Sequence, residues 1–156
     1  VTRWSTWFGA LGRFWPRAQK QLRTQPISGK TFVMAANSAF IDIGTRQSGS
    51  ITIVDVNGDI TLRSTPEVRK VLLDVLRNKN TTRAIVNLVK VRYIDSAGVA
   101  SLVEALRLSR DLNRGFALYG LGRVARQVLE LTRLTKVFEI YEDEEQALRG
   151  ASPSQA

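Results

Sequence analysis

From residue 84 onward the chain alternates between β-rich runs and helix-period stripes, and this alternation limits the possible folds more than any other feature. AIVNLVKV (84–91) is followed by Val99, Leu102, Val103 and Leu106, and FALYG (116–120) by Val124, Val128, Leu129 and Leu131. VFEIY (137–141) is then followed by the acid-rich EDEEQAL (142–148). Strands separated by helices pair in parallel through right-handed crossovers. Upstream, AFIDIGTR (39–46) and ITIVDV (51–56) each alternate apolar and polar residues around the turn residues Gln47-Ser48-Gly49, which predicts a hairpin. Ser64-Thr65-Pro66-Glu67 has the form of a capping box, and Val68, Val71, Leu72, Val75 and Leu76 continue it as one apolar stripe. The expected fold is α/β: a mixed, mostly parallel sheet of about five strands flanked by about four helices. Val68, Val71, Leu72, Val75, Leu102, Val103, Leu106, Val128 and Leu129 should face the sheet.

A chain of 156 residues, 44% hydrophobic and 24% charged, has enough material for one domain with a sizeable core. It contains neither cysteine nor histidine, which excludes disulfides, the usual zinc sites and nucleophiles activated by histidine. No apolar run is long enough to span a bilayer and no secretion leader is recognisable, so the cytoplasm is the expected compartment. The net charge is +9, but Arg3, Arg13, Arg17, Lys20, Arg23 and Lys30 supply +6 within residues 1–33, which hold no acid. The remaining +3 is too diffuse to argue for a nucleic-acid partner, and no reading motif accompanies it. Residues 1–33 also place Trp4, Trp7, Phe8, Leu11, Phe14 and Trp15 at helical spacing, the pattern of a basic amphipathic segment able to lie on an anionic membrane. Gly9, Gly12 and Pro16 weaken that helix, and the regular pattern begins only after Met34. We therefore divide the chain into a disordered or non-native segment (1–33), a folded body (34–150) and a disordered tail (151–156).

Between the run at 84–91 and the next helical stripe lies VRYIDSAGVASLVEAL (91–106). In open α/β sheets, sites form beyond the carboxyl ends of the strands, where Asp95 and Ser96 fall. Three readings of this pair are open. Either residue is an ordinary helix N-cap. A catalytic serine would need a base, and none is at hand. A phosphorylation site is chemically sounder, because free helical N–H groups and the helix dipole favour an added dianion.

The stretches GDITL (58–62), NLVKVRYIDSAGVASLV (87–103) and LYGLGRVARQVLELTRLTKVFEIYEDEEQAL (118–148), in this order and spacing, resemble a STAS domain of the anti-sigma factor antagonist family. Asp95-Ser96-Ala97-Gly98-Val99 matches the family's Asp-Ser-x-Gly-Leu signature with one conservative change. The resemblance implies a non-enzymatic partner switch without cofactor or metal. The unphosphorylated protein would bind an anti-sigma factor that is also a serine kinase, freeing a sigma factor. Phosphorylation of Ser96 would release the complex until a serine phosphatase restored it. The implied partner-binding residues are Asp59, Thr61, Asp95, Ser96, Ala97, Gly98 and Val99. One departure stands out. Where many antagonists end the second strand in Gly-Glu-Leu-Asp, this chain has Gly58-Asp59-Ile60-Thr61, so Thr61 replaces the family acid and Asp59 is the carboxylate left nearby. A plain turn into the helix is the alternative reading of Asp59 and Thr61. The resemblance also admits a second function, a STAS accessory subunit of a lipid-transport ABC system.

Overall fold

The computed structural model describes residues 41–150, so the expectations for residues 1–33, for the first residues of the opening strand and for the tail at 151–156 lie outside the described residues. Strands β1 (Ile41–Ser48) and β2 (Ile51–Gly58) form the expected antiparallel hairpin. Ser48 pairs with Ile51, so the turn is the two-residue Gly49-Ser50 and not Gln47-Ser48-Gly49. Gly49 at φ +60 supplies the positive dihedral that a tight hairpin compatible with strand twist requires.

After β2 come helix α1 (Thr65–Arg77), strand β3 (Arg83–Lys90), helix α2 (Ser96–Asp111), strand β4 (Gly115–Tyr119), helix α3 (Arg123–Leu131), strand β5 (Glu139–Tyr141) and helix α4 (Glu144–Arg149). The sheet order is β1-β2-β3-β4-β5, antiparallel only at the β1–β2 edge, so the expected mixed sheet with four helices is what forms. A short 3-10 turn at Leu134–Lys136, which the sequence pattern does not announce, joins α3 to β5.

The helices divide unequally. Helices α1, α2 and α3 bury Val68, Leu72, Leu76, Leu102, Ala105, Leu106, Ala125 and Leu129 against Val54, Val56, Ala84, Val86, Leu88 and Leu118 on one face of the sheet. Among the described residues only α4 covers the other face, where Ala147 joins Ile53, Ile85, Ala117 and Tyr119. Val71, Val75, Val103 and Val128 are half-buried at the margin of the larger core, so the whole expected set faces inward.

The stripe read for α3 needs correction. Val124 and Leu131 point outward, Leu131 with 85% of its surface exposed, and the helix packs through Ala125 and Leu129. A small alanine lets the helix approach the sheet closely, and it contributes little to an apolar pattern read from sequence. The capping box at Ser64 also fails. Ser64 is in helical geometry at φ −93, ψ −15, and its hydroxyl turns back to accept from the Thr61 amide (2.9 Å) and donate to the Asp59 carbonyl (2.8 Å). Its side chain is committed to the preceding turn and leaves the helix amides alone.

Candidate functional site

The loops after β2 and β3 are stitched together by backbone. Ile60 and Ile94 form an isolated parallel bridge, with Ile60 N–H donating to Tyr93 (3.0 Å) and Asp95 N–H to the Ile60 carbonyl (3.0 Å). This places the N-terminus of α2 against the segment entering α1. Asp95 is the N-cap: one carboxylate oxygen accepts from Gly98 N–H (2.9 Å) and the other from Leu62 N–H (2.8 Å). One side chain thus starts a helix and holds a loop 33 residues away. Gly98 is required by the same closeness. A β-carbon there would sit 2.7 Å from Ile60 Cγ2 and 2.9 Å from the Ile60 carbonyl. Ile60 and Ile94, both buried, form the floor.

Of the residues read from sequence, Ser96 is exposed as the first residue of α2, and no hydrogen bond of its hydroxyl is found among the described residues. Because Asp95 does the capping, Ser96 is not needed for it. Ala97 is half-buried, and Gly98 and Val99 are buried beneath, so these last two shape the site from below. Thr61 works through its backbone, its carbonyl accepting from the Ser64 and Thr65 amides and from the Thr65 hydroxyl. Asp59 is half-buried, and its Oδ1 is buried without a hydrogen-bond partner among the described residues. Ser101, one turn further along α2, is buried and donates to the Gly98 carbonyl (2.7 Å).

The sequence reading missed the apolar rim. Leu62 (73% exposed) and Tyr93 in loops, Val89 at the end of β3 and Val124 in the first turn of α3 all lie at the carboxyl end of the sheet. Val89 lies over Gly120, which at φ +69 has no room for a side chain beneath it, and the Val91 carbonyl lies against Gly122, so the loops after β3 and β4 are contiguous. Exposed cations Lys90, Arg92 and Arg123 border this rim. No cluster of acids suited to a metal ion is found among the described residues.

A second polar assembly occupies the face on which α4 packs. Arg46 on β1 donates to both oxygens of Asp55 on β2 (2.5 and 2.9 Å) and to both oxygens of Glu144 on α4 (3.0 and 2.8 Å). Tyr119 donates to Glu144 (2.7 Å) and Asn87 to Asp55 (2.7 Å). Burial disfavours the Asp55 charge, but the hydrogen bonds from Arg46 and Asn87 outweigh it and hold its pKa below the ordinary carboxylate value. The hydrogen bonds from Arg46 likewise depress Glu144. Burial and the bond to Glu144 raise Tyr119, and the two carboxylates raise Arg46. This network borders a shallow cavity of about 350 Å³ lined by Asp42, Gly44, Asn57 and Lys90 among others.

Sheet order, α1, α2 and α3 on one face, α4 on the other and an exposed serine at a buttressed helix start define a class of small α/β domain whose accessible chemistry lies in its loops. The family model described as STAS domain matches residues 42–147, and the chain belongs to that family. It is 30% identical over 100 residues to the anti-sigma-B factor antagonist of Listeria monocytogenes, covering 64% of this chain and 86% of that protein. An anti-sigma factor antagonist from Mycobacterium paratuberculosis has a similar structure (TM-score 0.64, 22% identity, 70% of this chain and 92% of that one). So does the Bacillus cell fate determinant SpoIIAA in its phosphorylated form (TM-score 0.56, 16% identity, 69% and 96%).

Proposed function

We propose that this protein is an anti-sigma factor antagonist: it docks on an anti-sigma factor/serine kinase while Ser96 is unmodified, and phosphorylation of Ser96 releases it. The observation that carries this reading is the division of labour at the start of α2, where Asp95 caps the helix and leaves the Ser96 hydroxyl exposed without a structural task. Modification there adds about −1.5 to −2 charges beside the Asp95 carboxylate without disturbing a core contact. Leu62, Tyr93 and Val124 supply apolar surface for a docked partner, and a dianion at its edge opposes the desolvation that docking requires. The names of the relatives support the same reading. The protein acts by binding rather than by catalysis, and a serine phosphatase resets it.

Pull-down from native cytosol with partners identified by mass, followed by titration with the purified kinase, tests this. A kinase-type ATPase should be captured, and incubation with ATP should add one phosphate at Ser96 and none at Ser101. Capture of a lipid-transporter subunit in its place would replace this reading with the accessory-subunit one.

A further inference from the structure

Strand β3 carries a bulge where it approaches the docking rim. Asp55 pairs with Asn87 and Asn57 with Lys90, so the one residue between them on β2 is matched by two on β3. The extra residue reverses the pleat. Ala84, Val86 and Leu88 point into the larger core and Ile85 into the smaller one, so a regular strand would send Lys90 inward and Val91 outward. Val91 instead joins the larger core, while Val89 and Lys90 are both exposed. A bulge re-aims side chains in this way and takes an amide out of the ladder.

Here that amide is Val89 N–H, and it donates to Oδ1 of Asn87 (3.0 Å). The other end of the same amide group, Nδ2, donates to Asp55 (2.7 Å). The assignment is forced, since a backbone N–H can only donate and an ionised carboxylate can only accept. Asp55 is in turn gripped by Arg46, and Arg46 by Glu144 of α4.

We propose that Asn87 is a positioning residue of the docking rim: it stabilises the β3 bulge that presents Val89, Lys90 and the loop to Tyr93, and it does so from an anchor that runs through Asp55 and Arg46 to α4. The inference deepens the antagonist reading and rests on it only in calling this surface a docking rim. The anchor lies on the face of the sheet opposite α1, α2 and α3, so it gives the rim a support independent of the helix that carries Ser96. Position 87 demands one donor and one acceptor at fixed ends, which an apolar or a purely acidic side chain cannot supply.

Amide hydrogen exchange of the full chain, with binding to the purified partner kinase read in parallel, tests the proposal. In Asn87→Leu the Val89 and Val91 amides should exchange roughly tenfold faster or more, while amides of α2 and of Val86 stay within twofold, because the opening is local. Asn87→Asp places two carboxylates together and should loosen the same amides. Combining it with Asp55→Asn returns the donor and acceptor in exchanged positions, at the loss of one of the two Arg46 hydrogen bonds, and should restore part of the protection. Partner affinity should fall and recover with these variants. Unchanged exchange in Asn87→Leu, exchange raised equally throughout the sheet and α2, or no recovery in the double variant would each overturn the positioning role. Failure of the wild-type chain to bind any anti-sigma factor would overturn the antagonist reading instead, and the exchange result would still decide what Asn87 does.

Discussion

At the scale of the residue, neighbours at the start of α2 have separate tasks, and substitution should separate them. Asp95→Ala removes acceptors from both Gly98 N–H and Leu62 N–H and should cost about 2 kcal/mol, read as a lower urea midpoint. Ser96→Ala should cost less than about 0.5 kcal/mol, since its side chain is exposed and carries no cap. The contrast reverses in binding. Ser96→Ala should hold the partner kinase whether or not ATP is present, and Ser96→Asp should fold normally but bind poorly; equal affinities in a titration would reduce Ser96 to a surface residue. Gly98→Ala drives a methyl against the Ile60 backbone and should destabilise by roughly 1–3 kcal/mol in the same urea assay. Asp95 was legible as a cap from local sequence, because capping is settled within four residues. Its bond to Leu62 was not, because that contact exists only once the two loops lie side by side. The backward turn of Ser64 escaped for a similar reason: Ser-x-x-Glu describes what the residues can do, and the turn at Thr61 had already engaged the hydroxyl.

At the scale of the element, the strand runs and helical stripes were readable because each repeats its signal several times. Departures from regularity were not. The β3 bulge is one residue long, and LVKV continues to look like a strand whichever face it presents. Helix α4 illustrates how an element of six residues is held. Ala147 and Leu148 give it little apolar area, and Glu144 ties it through Arg46 to the sheet edge. The pH dependence follows from the depressed carboxylates. Asp55 and Glu144 have folded pKa values below their ordinary ones of 3.8 and 4.5, so their contribution is present above the unfolded values and is lost as pH falls through the folded ones. Arg46→Met should therefore lose about 1 kcal/mol at pH 7, a modest figure because all three side chains are about a third exposed, and the deficit should shrink well below pH 4. Urea midpoints of both proteins at pH 7 and at pH 3 measure this, and a deficit as large at pH 3 as at pH 7 would show that the network stabilises by packing and not by charge.

At the scale of the whole molecule, a mixed and mostly parallel sheet was legible from alternation alone, because strands joined by helices pair in parallel and the opening hairpin adds an antiparallel strand, whereas the order β1-β2-β3-β4-β5 came with the structure. The assignment of three helices to one face and one to the other came only with the structure. That arrangement bears on residues 1–33, which hold all three tryptophans, Trp4, Trp7 and Trp15. The larger core closes around α1, α2, α3 and the sheet within residues 41–150, so deletion of residues 1–33 should leave the melting temperature within about 2 °C, against roughly 4–8 °C for each lost kcal/mol in a domain of this size. The same tryptophans report on their own segment, since the folded body has none. Their emission should stay unchanged while circular dichroism follows the unfolding of the body in guanidinium. Addition of vesicles rich in anionic lipid then separates the two readings of the basic stripe: emission without a blue shift leaves the segment a dispensable tail, whereas a blue shift that salt reverses identifies a membrane contact held by Arg3, Arg13 and Arg17. A drop of more than about 5 °C on deletion would instead place residues 1–33 within the fold.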